Sequence, residues 1–497
     1  MTALYSLSEI RAVELAAQAS LPRGTLMQRA GSAATDLALR ILPQGGLRRV
    51  LVLAGPGNNG GDALDMAARL ATACDVAIVL FADPGKLPVD AAQALQRARQ
   101  SDAEFLDAGE ARALLAQSWP LVVDGLFGIG LSRTITGNLR EMIEALNNSN
   151  SIVLALDIPS GLDADTGAVV GEDGIAVVAD HTITFIGDKP GLHTCDGRDH
   201  AGTVTVAGLD IDASLFPPRR AELSRPELFQ QALQPRRHNS HKGSYGDVAV
   251  IGGASGMAGA TLLAARAAIK CGAGKTHAVF LDDAPALDYE QPELMCRSAD
   301  GFEIGGSVLV IGPGLGQSGL AQVLLQAALA SNTPLVIDAD ALNLLAAAPS
   351  LQKELARRHA RPILTPHPLE AARLLGVTSK TVQADRLGSA RALAQALQAI
   401  VVLKGSGSII ATPEGRIAVN PTGNPGLATA GSGDVLAGIC GALLAQRMPT
   451  WEAALAAVWL HGSAADLLVE RGVGAIGLTA GELIAPVRTL LNRLVQT

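Results

Sequence analysis

Short runs of β-branched and aliphatic residues recur along this chain. Each is closed by a loop bearing glycine or aspartate, and most are followed by an amphipathic stretch. In the first half the runs are 49–54, 76–81, 121–124, 152–157, 181–186 and 203–206, with stretches such as 62–73 and 139–147 long enough for crossover helices. Runs that are apolar without alternation, such as 50–53, suit strands covered on both faces, which means a parallel sheet between layers of helix. A second series follows at 247–251, 276–281, 307–311, 335–337, 362–364, 401–403, 408–411 and 416–419. The expected fold class is α/β.

Between 212 and 242 this rhythm stops. Pro217, Pro218, Pro226 and Pro235 alternate with Arg219, Arg220, Arg236 and Arg237, and no strand period survives. We therefore expect two domains, 1–213 and 225–497, joined by a linker at 214–224. A chain of 497 residues is long enough for two cores, and its 48% hydrophobic and 17% charged content excludes a disordered protein. The net charge of −8 argues against nucleic acid as a partner, which needs a basic footprint. No apolar run approaches the ~18–20 residues that cross a bilayer, and no basic stretch leads into an apolar one near residue 1. The five cysteines are scattered and odd in number, with no C-x-x-C spacing, so neither a disulfide framework nor a zinc site is indicated. The expectation is a cytoplasmic protein with no membrane partner.

Three strand ends of the first half carry polar chemistry. The loop Gly55-Pro56-Gly57-Asn58-Asn59-Gly60-Gly61-Asp62 lacks the Lys-Ser/Thr of a Walker loop and the spacing of G-x-G-x-x-G. Its glycines would let the backbone pass close to a phosphate, with the free N–H groups of a helix start behind them. Alternatively, Asp62 is the helix cap and the glycines form a tight turn. Asp124 and Asp157 each stand where a strand stops, in Val123-Asp124-Gly125 and Leu156-Asp157-Ile158-Pro159-Ser160-Gly161. Ligands of open parallel sheets sit beyond the carboxyl ends of the strands, so these three loops should converge on one crevice.

With FIGDKPGL, the segments GPGNNGGD, VDGLFGIGL and LDIPSGLDADTG resemble the NAD(P)H-hydrate epimerase family over roughly 1–213. The resemblance implies a Rossmann-like three-layer domain that interconverts the R and S hydrates of NADH and NADPH at C6. It also implies that Asn58, Asn59, Gly60, Gly61, Asp62 and Gly128, Ile129, Gly130, Leu131, Ser132, Arg133, Thr134 hold the dinucleotide. Asp157 would sit at the reacting ring, and Asn59, Asp124 and Ser160 would bind K+. Two positions depart from the pattern: Ala63 stands where glycine is usual, a methyl group where close backbone approach is expected, and Asp65 stands where an apolar residue is common.

The second half contains Asn424-Pro425-Gly426-Leu427-Ala428-Thr429-Ala430-Gly431-Ser432-Gly433-Asp434, which enters an alanine-rich apolar stretch. A Gly-Ser-Gly loop at a helix start forms an anion hole, and the neighbouring carboxylate can take a proton from an attacking hydroxyl. As a lone residue, Asp434 could instead cap the helix. Strand-end loops supply Lys404, Gly405, Ser406, Gly407 and Ser408, the run Gly312-Pro313-Gly314-Leu315-Gly316, and His367 between two prolines. Asp338 and Asp340 either position Mg2+ and phosphate or cap the next helix.

These pieces, with HKGSYGDVAVIGG, resemble the ADP/ATP-dependent NAD(P)H-hydrate dehydratase family of ribokinase-like proteins over roughly 225–497. The resemblance implies phosphorylation of the C6 hydroxyl of the S hydrate at the expense of ADP or ATP, with Mg2+, followed by loss of phosphate. Asp434 would be the base and touch the hydrate, and Lys404 to Ser408 and Gly433 would bind the adenine nucleotide. His367, Gly316 and Ala260 would line the hydrate site. Leu369 departs from the glycine usual after TPHP, and Ser408 stands where threonine is common. The chain is expected to be a homo-oligomer. Two rivals remain at this stage: a vitamin or sugar kinase sharing the Gly-Ser-Gly-Asp loop, and a first domain that binds dinucleotide without catalysis.

Overall fold

The computed structural model describes residues 3–43, 45, 48–115, 117 and 119–496. The chain forms two compact units, Met1–Ala221 and Glu222–Thr497.

In the first unit the strands are β1 (Arg49–Ala54), β2 (Asp75–Leu80), β3 (Glu104–Leu106), β4 (Leu121–Gly125), β5 (Ile152–Leu156), β6 (His181–Phe185) and β7 (Thr203–Ala207). They form a parallel sheet in the order β3-β2-β1-β4-β5-β6-β7. Alternate strand residues go to opposite faces. Val50 and Val52 pack with Ile10, Met27, Leu64 and Leu95 of four helices, whereas Leu51 and Leu53 pack with Trp119, Met142, Ile143 and Leu146. Because both faces are covered, these strands read as continuous apolar runs. The order reverses between β1 and β4, which opens a crevice at their carboxyl ends.

The second unit has β8 (Ala221–Leu223), β9 (Asp247–Gly252), β10 (Lys275–Phe280), β11 (Met295–Ser298), β12 (Val308–Ile311), β13 (Leu335–Ile337), β14 (Ile363–Leu364), β15 (Ile400–Leu403), β16 (Ile409–Ala411) and β17 (Ile417–Val419). The order is β8-β17-β16-β15-β14-β13-β12-β9-β10-β11, parallel from β15 through β11, with β16 antiparallel to both its neighbours. The switch point here lies between β9 and β12. Helices Ala258–Lys270, Ser432–Ala445 and Thr450–Glu470 cover one face through a core that includes Val250, Phe280, Val310 and Ile439.

Four sequence expectations need correcting. The helix expected from residue 62 begins at Asn58, because the Asn-Asn-Gly-Gly segment folds as its first turn, with Gly61 N–H donating to Gly57 O at 3.1 Å. Asp62 therefore lies within the helix and does not cap it. The 212–242 segment holds the short strand β8, and the edge strands β3 and β11 were not foreseen, being short and partly polar or exposed. Finally, Thr450–Glu470, at 21 residues, is long and apolar enough to cross a membrane, although 67% of its apolar window is buried.

Candidate active sites

At the switch point of the first unit lies a cavity of about 490 Å3, lined by Asn58, Asn59, Asp62, Asp157 and the loop 128–133. The close approach of the loops depends on glycine. A β-carbon on Gly128 would lie 3.1 Å from Asp157 Oδ2 and 3.2 Å from Asn59 Cβ. Asp157 is held at φ 64°, and the β-branched Ile186, also on the cavity wall, at φ 68°, a conformation costly for such a residue. Backbone strain of this kind is concentrated at functional sites.

The predicted residues do not all reach this cavity. Gly60, Gly61 and Thr134 are not on its wall. A side chain on Gly60 would strike Gly55 O, and one on Gly61 would strike Met27 and Ala91. These two glycines are there so that the helix Asn58–Leu70 can pack tightly. Ala63 likewise is fully buried in the core, its methyl meeting the close-packed backbone of Gly125 and not the cavity.

Asp124, Ser160 and Asn59 form a buried cluster beneath the loop. Ser160 Oγ donates to Asp124 Oδ1 at 2.6 Å, and Ser160 N–H donates to Oδ2 at 2.8 Å. Burial pushes the Asp124 carboxyl up to about 6 in spite of these bonds and one from Leu126 N–H. Both polar side-chain atoms of Asn59 are buried without a partner. An orphaned amide oxygen, a hydroxyl and a poorly compensated carboxylate are what a hard cation with oxygen ligands would satisfy.

Sequence reasoning missed Lys189. It is 0% exposed, and its Nζ donates to Asp157 Oδ1 at 2.6 Å, Thr184 Oγ1 at 2.6 Å and Phe185 O at 2.9 Å. It sits in the FIGDKPGL motif, but no spacing rule ties it to an aspartate 32 residues upstream.

In the second unit the strand-end loops also converge. Asp338, 1% exposed, accepts from Lys404 Nζ at 2.8 Å and Thr365 Oγ1 at 2.8 Å, so it does not act as a side-chain cap. Burial alone would push Lys404 down, but Asp338 and Glu370 outweigh it and hold the ammonium above its usual range. Glu370, missed from sequence, is pushed up to about 7, first by burial. A β-carbon on Gly433 would lie 3.2 Å from Lys404 Nζ, which places the Gly-Ser-Gly loop over that ammonium.

Asp434 stands in the first turn of Ser432–Ala445, whose cap is Gly431 in the left-handed conformation. The cap alternative therefore fails. Among the described residues, no side-chain hydrogen bond or ion pair engages the Asp434 carboxyl. Burial pushes it up to about 7, with Asp338 and Asp340 adding to the rise and Lys404 opposing it. Asp340 accepts from Gly316 N–H at 2.9 Å, and β-carbons on Gly314 and Gly316 would approach Ala260 and Met257, so Ala260 and Gly316 belong to the same group of loops. His367 is a helix cap: Nδ1 accepts from Leu369 N–H at 3.1 Å and Nε2 faces Glu370 at 3.2 Å. The exposed Leu369 follows it at the helix start. Behind the loop 404–408, the buried Arg386 donates to Leu403 O and Lys404 O and would collide with any side chain at Gly405.

Fold and sites together define a tandem α/β enzyme, with a dinucleotide-type cleft in its first unit and a phosphoryl-transfer-type anion loop in its second. Residues 23–191 match the family model described as YjeF-related protein N-terminus, and residues 248–485 match the one described as NAD(P)H-hydrate dehydratase. The bifunctional NAD(P)H-hydrate repair enzyme Nnr of Coxiella burnetii is 40% identical over 507 residues, covering 99% of this chain and 100% of its own. That of Escherichia coli is 39% identical over 480 residues, covering 94% and 89%. Among solved structures, the ADP/ATP-dependent NAD(P)H-hydrate dehydratase from Bacillus subtilis co-crystallized with ATP/Mg2+ is 33% identical, with 55% of this chain and 98% of that one covered at a TM-score of 0.49. This chain belongs to the family of bifunctional NAD(P)H-hydrate repair enzymes.

Proposed function

We propose that the first unit interconverts the R and S hydrates of NADH and NADPH at C6 in the Asn58–Asp157 cavity, and that the second unit converts the S hydrate back to NAD(P)H. The observation that carries the second half is the Asp434 carboxyl, without a hydrogen-bond or ion-pair partner among the described residues, in the first turn behind the Gly431–Gly433 amides, with Lys404 near that loop. Asp434 takes the proton of the C6 hydroxyl as that oxygen attacks the terminal phosphorus of ADP or ATP, and the loop amides meet the charge that develops. The C6–O bond then breaks with its electrons leaving on phosphate, helped by the lone pair of the ring nitrogen. Loss of the C5 proton restores the double bond.

Lys404, Gly405, Ser406, Gly407, Ser408 and Gly433 are assigned to the nucleotide, and Ala260, Gly316 and His367 to the hydrate. In the first unit, Asn58, Asn59, Asp62 and the loop 128–133 hold the dinucleotide, with Asp157 at the ring. Asn59, Asp124 and Ser160 are the set that would hold K+, which would fix the loop and balance the buried carboxylate. Among the described residues no group of three His, Cys, Asp or Glu could hold a metal. Mg2+ would come with the nucleotide phosphates, as it commonly does with one or two carboxylates, and of Asp338 and Asp340 the second, not engaged by Lys404, would be the one to meet it.

Asp434→Asn tests the assignment. Dehydration of the S hydrate should be lost while R/S exchange, followed chromatographically, continues. Retained dehydration would remove Asp434 from the role of base.

A further inference from the structure

Asp62 and Asp157 face the same cavity from different elements, the helix Asn58–Leu70 and the end of β5. Their surroundings are opposite. Asp157 is one half of an ion pair with the buried Lys189 and also accepts from Ile129 N–H at 3.4 Å. The Asp62 carboxyl has no hydrogen bond or ion pair with any described residue. The charged groups that act on it are Asp157, Glu14 on the helix Leu7–Gln18, Asp65 on its own helix and Lys189, and Arg11, Asp90 and Arg133 also line the cavity. Burial, then the three carboxylates, push Asp62 well above the usual carboxylate range, against the opposing effect of Lys189. A carboxyl group raised by its surroundings, on the same cavity wall as a carboxylate held in an ion pair, is the pattern of a paired proton donor and acceptor.

Taking this cavity as the epimerase site, as proposed above, we infer that Asp62 donates and Asp157 accepts the protons that C6 inversion requires. C6 carries both a hydroxyl and the ring nitrogen N1, and a proton donor and a proton acceptor on one wall suit inversion through the C6–N1 bond. In ring opening, Asp157 takes the hydroxyl proton and the O–H electrons form C6=O. The C6–N1 electrons pass to N1, which takes the proton of Asp62. The aldehyde turns about C5–C6. N1 then attacks the other face as its proton returns to Asp62, and Asp157 returns the other proton to oxygen. No co-reactant is consumed. Lys189 is a positioning residue that fixes the acceptor.

The test uses full-length Asp62→Asn and Asp62→Glu, with R/S exchange measured without nucleotide and S-hydrate dehydration measured with ADP and Mg2+. For Asp62→Asn, kcat for exchange should fall roughly 10²–10⁴-fold, the range of a general acid, beyond any rise in KM, with dehydration in the second unit unchanged. Asp62→Glu should recover part of kcat. The wild type should lose exchange at high pH, as Asp62 ionises, and the residual rate of Asp62→Asn should lack that fall. If Asp62→Asn raises KM and leaves kcat alone, Asp62 only binds and the inference is wrong. If Asp62→Asn exchanges normally while Asp157→Asn does not, the inference is again wrong but the cavity remains the epimerase site. Normal exchange in both would overturn the cavity assignment itself.

Discussion

A carboxylate that must accept a proton near neutral pH works best with a pKa near that pH. Asp434, pushed up to about 7 first by burial and then by Asp338, meets this condition without touching a protein donor. In the proposed role of base it must be ionised, so the dehydration rate should fall as pH drops through about 7. In Asp338→Asn a neighbour that raises Asp434 is gone and Lys404 loses its nearest anion, so the acid limb of the rate profile should move to lower pH. A limb that stays in place would show that another group sets it. Asp124 and Asp157 stood out because each closes an apolar strand run, and Asp434 because it follows Gly431-Ser432-Gly433 at a helix start. Lys189, Glu370 and Arg386 were not, since each acts on a residue that only the sheet order brings near.

The helix Asn58–Leu70 shows how one element serves both packing and chemistry. Its Asn-Asn-Gly-Gly start reads as a ligand loop, yet Gly60 and Gly61 face the protein and only Asn58, Asn59 and Asp62 face the cavity. Asp65, the unexpected polar residue, is 2% exposed and binds Arg69 Nε at 2.7 Å and Arg97 at 2.7 Å, the second from the helix Val89–Arg99. It also fills the space left by Gly31 on Thr25–Ile41, where a β-carbon would overlap its carboxylate. One side chain thus joins three helices. Breaking a fully buried ion pair costs ~3–5 kcal/mol, but Arg69 and Arg97 are 40% and 35% exposed and solvent screens them. Asp65→Ala should therefore cost about 1–3 kcal/mol and lower the temperature at which epimerase activity is lost by several degrees. An unchanged inactivation temperature would mean that the three-helix contact contributes nothing. The helix start and the edge strands were misread for the same reason: a first turn of small residues and a short edge strand of polar or exposed residues lack the apolar period that marks an element.

For the whole molecule, the tandem architecture was readable from the two strand series because buried parallel strands leave uninterrupted apolar runs. The rivals at that stage, an ordinary small-molecule kinase and a non-catalytic first domain, give way to family membership along nearly the full chain. The chemistry explains the pairing of activities. Water adds to either face of the nicotinamide ring, whereas a phosphorylating pocket of fixed geometry takes one epimer, so an exchanger on the same chain lets both be recovered. The most direct measurement is to give the protein a mixed R/S hydrate of NADH with ADP and Mg2+ and follow the reduced-nicotinamide absorbance to its end point. Recovery of the full absorbance from both epimers is predicted, whereas a plateau at the S fraction would contradict the account.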